Sequence, residues 1–140
     1  MPTVFRGMLS APDGMPELGT SGCSLGVRLD GPLRDISLTE NGTVGPHAGG
    51  MSVAPSLAKL PMHRIPKRLR HRFAEARGSS SCAVYRFGDG GFVSERLAHK
   101  LQLRVTSASH GLVEPEGVMP LNEYLEALAR TRDLWRIDET

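Results

Sequence analysis

Apolar residues recur along this chain in short runs, and the spacing within each run decides which element it can form. Residues 23–29, Cys-Ser-Leu-Gly-Val-Arg-Leu, set Cys23, Leu25, Val27 and Leu29 against Ser24, Gly26 and Arg28. That period of two predicts a strand with one buried face and Arg28 on the other. Asp30-Gly31-Pro32 marks a turn, residues 35–38 read as a short strand, and Asn41-Gly42 stands where a hairpin turn is favoured. Met51-Ser52-Val53 is a very short strand-like stretch closed by Pro55, and a proline-bounded loop follows over 56–66. In residues 67–77, Leu69 and Phe73 lie four apart, which predicts a helix with Lys67, Arg68, Arg70, Arg72 and Arg77 around the remaining face. Residues 82–87 read as a strand ended by Gly88-Asp89-Gly90-Gly91. Ser94 as a cap, Glu95 in the first turn and the Leu97/Leu101 pair predict a short helix. Residues 101–106 then alternate into a strand, and 112–116 into another that ends at Pro115. From Pro120 onward, Leu121, Tyr124, Leu125, Leu128 and Trp135 lay a packing stripe along one face of a helix running to about residue 135.

Residues 1–22 hold only one short apolar run, Thr3-Val4-Phe5, among Pro2, Pro12, Gly14, Pro16, Gly19 and Gly22. They read as a mostly irregular leader, with residues 23–140 as a single domain. Gly and Pro supply 26 of the 140 residues, and 18 of those fall within the first 66, so the N-terminal half is loop-rich. A chain of this size buries about 68–70% of its unfolded surface and folds without a disulfide or metal. At 39% hydrophobic and 23% charged residues it is not a disordered chain. Its apolar runs fall far short of the roughly 20 residues that span a bilayer, and Met1-Pro2-Thr3 lacks a signal peptide's charged and apolar regions. The expected location is therefore the cytoplasm, with no membrane partner. Cys23 and Cys82, with no CxxC or Cys/His spacing, read as a reduced pair and give no metal site.

Seventeen Lys and Arg against fifteen Asp and Glu leave a net charge of +2, too small to name a partner. The distribution says more. Residues 62–77 carry Arg64, Lys67, Arg68, Arg70, Arg72 and Arg77 against Glu75 alone, whereas residues 113–140 carry seven acids against three bases.

P-loop, GxGxxG, GxSxG and HExxH fingerprints are all missing. What stands out is a trio on predicted strands: Arg28 early, Ser52 in the middle, Glu114 late. An ionised arginine forks onto a pyrophosphate, a small hydroxyl lines a pocket floor, and a carboxylate holds a ribose hydroxyl while stabilising an oxocarbenium-like transition state. That set suits cleavage of an N-glycosidic bond in a charged dinucleotide. Gly49 and Gly50, just before Ser52, permit close approach of backbone to a ligand.

The stretches Leu25–Arg28, Gly49–Pro55, Leu60–Pro66, His110–Pro115, Met119–Tyr124 and Arg130–Trp135 resemble small bacterial toxins related to the cytotoxic type VI secretion effectors with an ADP-ribosyltransferase-like fold. The resemblance runs over about residues 25–136. It implies an α+β domain with a mixed β-sheet core, NAD as the bound dinucleotide, and toxicity inside a bacterial cell restrained by an immunity protein or antitoxin. It also implies delivery into a neighbouring cell without a Sec signal. Under it, Arg28 holds the NAD phosphates, Gly49, Gly50 and Ser52 line the nicotinamide side, and Glu114 is the late-strand acid, with His63 and His110 in the pocket wall. Gly-Gly-Met-Ser-Val replaces the Ser-Thr-Ser of better-known ADP-ribosyltransferases, and Glu114-Pro115-Glu116 lacks their Glu/Gln-x-Glu pair, so the macromolecular acceptor stays unknown.

Two rivals from other classes use the charge pattern instead. The basic segment 63–77 suits a nucleic-acid-binding module whose affinity falls with salt, although Phe73 is its only aromatic. An acidic C-terminal helix that docks on another protein suits a structural partner.

Overall fold

Val4, Arg6 and Met8 alternate with Phe5, Gly7 and Leu9, and in the computed structural model, which describes residues 1–140, this run is strand β1 (Val4–Leu9). It pairs antiparallel along its whole length with β4 (Cys82–Phe87), from Val4 opposite Phe87 to Leu9 opposite Cys82. Val4 and Met8 are wholly buried. The irregular leader expected over residues 1–22 is thus corrected: its first part is a core strand, and no domain boundary falls at residue 22. Residues 23–29 are corrected in the opposite sense. Leu25 and Val27 are buried, but so are Ser24 and Gly26 between them, and the segment forms only a single bridge, Leu25 with Leu18, and no strand.

The remaining strands are β2 (Thr43–Val44), β3 (Met51–Val53), β5 (Glu95–Ala98), β6 (Leu101–Ser107), β7 (His110–Pro115), β8 (Met119–Pro120) and β9 (Arg136–Ile137). They form sheets in the orders β1-β4-β9, β2-β8 and β3-β7-β6-β5. Every pairing between these strands is antiparallel. The α+β class stands, while the sheet core is antiparallel rather than mixed. The Asn41-Gly42 turn is present, with Gly42 at φ 74°, but β2 beyond it pairs with β8 instead of closing a local hairpin.

Two predicted helices are absent. Residues 95–103 form a hairpin, with Ala98 opposite Leu101 and Lys100 in the left-handed region at φ 66°. Leu97 and Leu101 both enter the core from the two arms of that hairpin. A tight turn reproduces the four-residue spacing of a helix. Residues 67–77 make one 3₁₀ turn at Lys67–Leu69 and then double back. The amides of Arg77 and Gly78 donate to the carbonyls of Met62 and Ile65, at 2.9 and 2.8 Å. The backbone of this segment is thus bonded to the loop before it, which leaves no continuous i to i−4 ladder. Its apolar residues Leu69 and Ala76 cap a small cluster with Ala54, Leu57, Leu60, Ile65 and Val84.

The helix α1 (Leu121–Arg130) carries the expected stripe, with Tyr124, Ala127 and Leu128 buried against the main core. It stops earlier than expected. The Thr131 hydroxyl bonds back to the Leu128 carbonyl at 2.7 Å and accepts the Trp135 indole N–H at 2.9 Å. Trp135 reaches the core from beyond the helix, tilted against Phe87 with ring centroids 5.4 Å apart. Tyr124 ties α1 to the sheet. Its hydroxyl donates to the Val113 carbonyl at 2.6 Å and accepts the Met51 N–H at 3.2 Å, and burial pushes its ionisation upward.

The basic middle of the chain and its acidic C-terminal end meet each other. Arg68 forks onto Glu139, at 3.0 and 2.9 Å, and also donates to the carbonyls of Ser80 and Cys82. Arg72 donates to the Glu139 carbonyl at 2.7 Å, and Asp138 lies 3.4 Å from Arg86. Burial works against the Glu139 carboxylate, yet Arg68 and the Val84 N–H hold it below the usual carboxylate range. The bond from the Thr140 hydroxyl does the same for Asp138. With folded-state values depressed, their stabilisation is fully present above the unfolded carboxylate range near pH ~4 and is lost as pH falls through the folded values. Arg68→Met should cost about 1 kcal/mol at neutral pH and reduce the acid-side loss of stability, read from urea melts at a series of pH values.

Candidate functional site

β1 and β3 meet at a single bridge, where Phe5 and Ala54 exchange backbone bonds of 2.8 and 2.9 Å. A continued antiparallel ladder would next join Gly7 to Ser52. It does not; instead the chain at Arg64 packs against the face of β1, where a Cβ on Gly7 would collide with the Arg64 carbonyl, so only glycine admits this approach. The strands part on either side of a cavity of about 360 Å³. Arg6 spans the gap. Its Nη1 donates to the Ser52 carbonyl at 2.7 Å, and Nε and Nη2 donate to the Ser24 carbonyl at 3.1 and 2.9 Å. Arg6 is 5% exposed, and burial lowers its pKa to about 10, which leaves it charged at neutral pH.

The cavity wall is cationic. Arg6, Lys59, His63 and Arg64 line it, against Asp35 as the one acid. Just outside the lining, Arg28 brings its guanidinium beside that of Arg64, since a Cβ on Gly22 would touch Nη2 of both. The side chains of Arg28, Arg64 and Lys59 make no ion pair and no hydrogen bond within the protein. Burial, and then the charges of Arg64, Arg77 and Arg28, push the His63 pKa below its ordinary value.

Of the residues expected from sequence, Ser52, His63 and His110 line the cavity, and Arg28 stands at its edge on irregular backbone, its N–H donating to Asp35 Oδ2 at 2.6 Å. Gly49 and Gly50 do not line it. Gly49 has φ 105°, and side chains on the pair would run into the carbonyls of Asp35 and Val113, so these glycines let β3 pack between neighbouring backbones. Glu114 also lies off the cavity and is fully buried. Its Oε1 accepts from Arg104 Nε at 2.8 Å and Gln102 at 3.3 Å, and its Oε2 accepts from the His47 N–H at 2.8 Å. β3 and β7 are direct neighbours, as are β1 and β3 at their bridge, so Arg6, Ser52 and Glu114 do fall on three successive strands. Arg6 is a cavity residue that sequence reasoning missed, and the strand expected to carry Arg28 is irregular backbone.

The basic segment 63–77 is partly consumed within the fold, with Arg68 neutralised by Glu139 and Arg70 and Arg72 bonded to the carbonyls of Ala76 and Glu139. Of the acidic C-terminal stretch only Glu139 is held by Arg68 and Arg72, whereas Glu123 of the helix expected to dock on another protein lies 3.4 Å from Lys100. No helix is long and apolar enough to cross a membrane. Cys23 and Cys82 are both free, and burial pushes the Cys82 thiol up. Compared with protein-family models, curated proteins and solved structures, the chain finds no match.

Proposed function

We propose that the cavity between β1 and β3 binds NAD, and that the chain is an ADP-ribosyltransferase-like toxin acting inside bacterial cells and neutralised by an immunity protein or antitoxin. The observation that carries the dinucleotide reading is the unpaired set Arg28, Arg64 and Lys59 around one cavity. Guanidiniums left without carboxylates, next to a cavity large enough for a small ligand, suit a phosphate-bearing one. The sequence resemblance narrows that ligand to NAD. Arg6, Ser52 and Glu114 on successive strands repeat the early, middle and late positions that the resemblance requires. Arg6 takes the early position by holding the strand that carries Ser52, and Arg28 keeps a phosphate role from the cavity edge. Glu114 contributes by fixing the architecture beside Ser52, because its carboxylate is already engaged on both oxygens.

Arg64→Gln should weaken NAD binding by about 10- to 100-fold, the loss of a charged hydrogen-bonding group. In the wild type, inorganic pyrophosphate should raise the His63 pKa towards its ordinary value by supplying the missing counter-charge, read by NMR titration. In a bacterial host, induced wild-type protein should arrest growth as cellular NAD falls, and Arg64→Gln should relieve both. Equal NAD affinities in wild type and variant would sink this reading.

A further inference from the structure

The turn between β6 and β7 places one imidazole of the cavity under tighter control than the other. His110 lines the cavity, and its Nδ1 lies 2.6 Å from the Thr106 hydroxyl oxygen. The same hydroxyl lies 3.0 Å from the His110 carbonyl. A carbonyl only accepts, so the hydroxyl proton is directed to it, and Nδ1 must then be the donor to the Thr106 oxygen. The opposite tautomer would set two acceptor oxygens against each other and lose one of the two bonds. Nε2 has no partner in the protein, so its lone pair is the part of the ring left for an occupant. Ser109, at the tip of the same turn, is the only other residue of it that reaches the cavity.

We propose that His110 is the proton acceptor of this cavity, with Thr106 as the positioning residue that fixes its tautomer, and that the nucleophile it serves is a hydroxyl. The step rests on the NAD reading above. As the hydroxyl oxygen bonds to C1′ of the nicotinamide ribose, the C1′–N1 bond breaks, its electron pair leaves with neutral nicotinamide, and the hydroxyl proton passes to His110 Nε2. Charge selects the nucleophile class. Arg6, Lys59 and Arg64 share the lining with His63 and Asp35, so a cationic acceptor such as an arginine side chain is repelled. A neutral imidazole is also far too weak a base to deprotonate a guanidinium. Burial lowers the His110 pKa, which favours the unprotonated ring that a proton acceptor needs. Water and an alcohol share this chemistry.

Two measurements test the proposal. Nitrogen–proton NMR of the imidazoles, with His110→Gln identifying the signal, should show wild-type His110 protonated on Nδ1, and Thr106→Val should shift the proton towards Nε2. An Nε2–H ring in the wild type would overturn the proposal whatever the ligand proves to be. In the second, nicotinamide release from NAD should fall about 10²- to 10⁴-fold in His110→Gln, far more than NAD affinity falls, and the acid-limb pH dependence should disappear. Added methanol should divert product from ADP-ribose to its methyl glycoside if the cavity accepts alcohols, and leave ADP-ribose alone if it accepts only water. Unchanged release in His110→Gln, or NAD bound by the wild type without release, would overturn the step. Absence of NAD binding by the wild type would instead overturn the dinucleotide reading and the step with it, and the NMR result would still decide the imidazole.

Discussion

Arg6→Met should lower the stability of the protein by about 3–5 kcal/mol, the largest loss expected from any single side chain outside the apolar core. A hydrophobic replacement of a buried ion can be neutral when all its partners are removed with it. Here the partners are backbone carbonyls, of Ser24 and Ser52, and they stay behind without a donor. The loss is also architectural. Nη1 of Arg6 supplies the Ser52 carbonyl with the bond that a continued β1–β3 ladder would have given it, so the variant loosens the two walls of the cavity against each other. Arg6→Lys keeps the charge but has no fork to reach both carbonyls, and should fall between wild type and Arg6→Met. Urea melts with NAD titrations on the same samples separate the effects. A melt within about 1 kcal/mol of wild type would show that the bonds of Arg6 to the Ser24, Gly26 and Ser52 carbonyls contribute little net stability.

Arg6 was invisible to sequence reasoning for a physical reason. Charged residues are rarely buried without a partner, so a run of Val4, Arg6 and Met8 on one face is discounted as a strand, and the apolar count ends at Phe5. At residues 23–29 the burial of Leu25 and Val27 was legible, but Ser24 and Gly26 are buried beside them, so the segment is enclosed on both sides rather than alternating. Burial does not require a pairing partner, and Leu25 finds only a single bridge. The long periodic segments fared best: β4, β6, β7 and the stripe of α1 all follow from spacing. The helices expected at 67–77 and 94–101 failed where two or three apolar residues had to decide between a helix and a turn. Their four-residue spacing is satisfied as well by a hairpin at His99-Lys100 or by a chain that doubles back onto Met62 and Ile65.

The site was legible in part. Ser52, His63 and His110 were singled out by motif and reach one cavity, although they lie far apart in sequence. Arg64 carried a usable signal, as the first base of the run 62–77 and the one next to His63. What separates it from Arg68 is only that Arg68 finds Glu139, a pairing across 71 positions that no local pattern contains. The glycines misled in the opposite way. Gly-Gly before a serine suits a ligand's approach and suits the approach of another strand equally well, and Asp35 and Val113 occupy that space.

Glu114→Gln should cost about 2–3 kcal/mol of stability, and Glu114→Ala somewhat more, so a loss of the proposed growth arrest in either would not by itself place this carboxylate in the chemistry. The two oxygens of Glu114 accept from three groups on two segments: the His47 N–H, and the Gln102 amide and Arg104 Nε of β6. An amide in its place offers one acceptor and turns two protons towards donors that are already there. The partner left behind matters too, since Arg104 is ion-paired only with this carboxylate. The consequence for function runs through β7 and β3. Glu114 holds the His47 segment, which leads directly into Gly49, Gly50 and Ser52, so its loss should displace Ser52 and weaken NAD binding together with stability. Arg104→Met supplies the discriminating comparison, because it removes the ion pair and leaves the carboxylate with its bond from His47. If the role is positional, stability and NAD affinity should fall in proportion across Glu114→Gln and Arg104→Met, and growth arrest should follow them. A Glu114→Gln protein that melts like the wild type, binds NAD normally and yet releases no nicotinamide would overturn the positional role and return the carboxylate to the reaction itself.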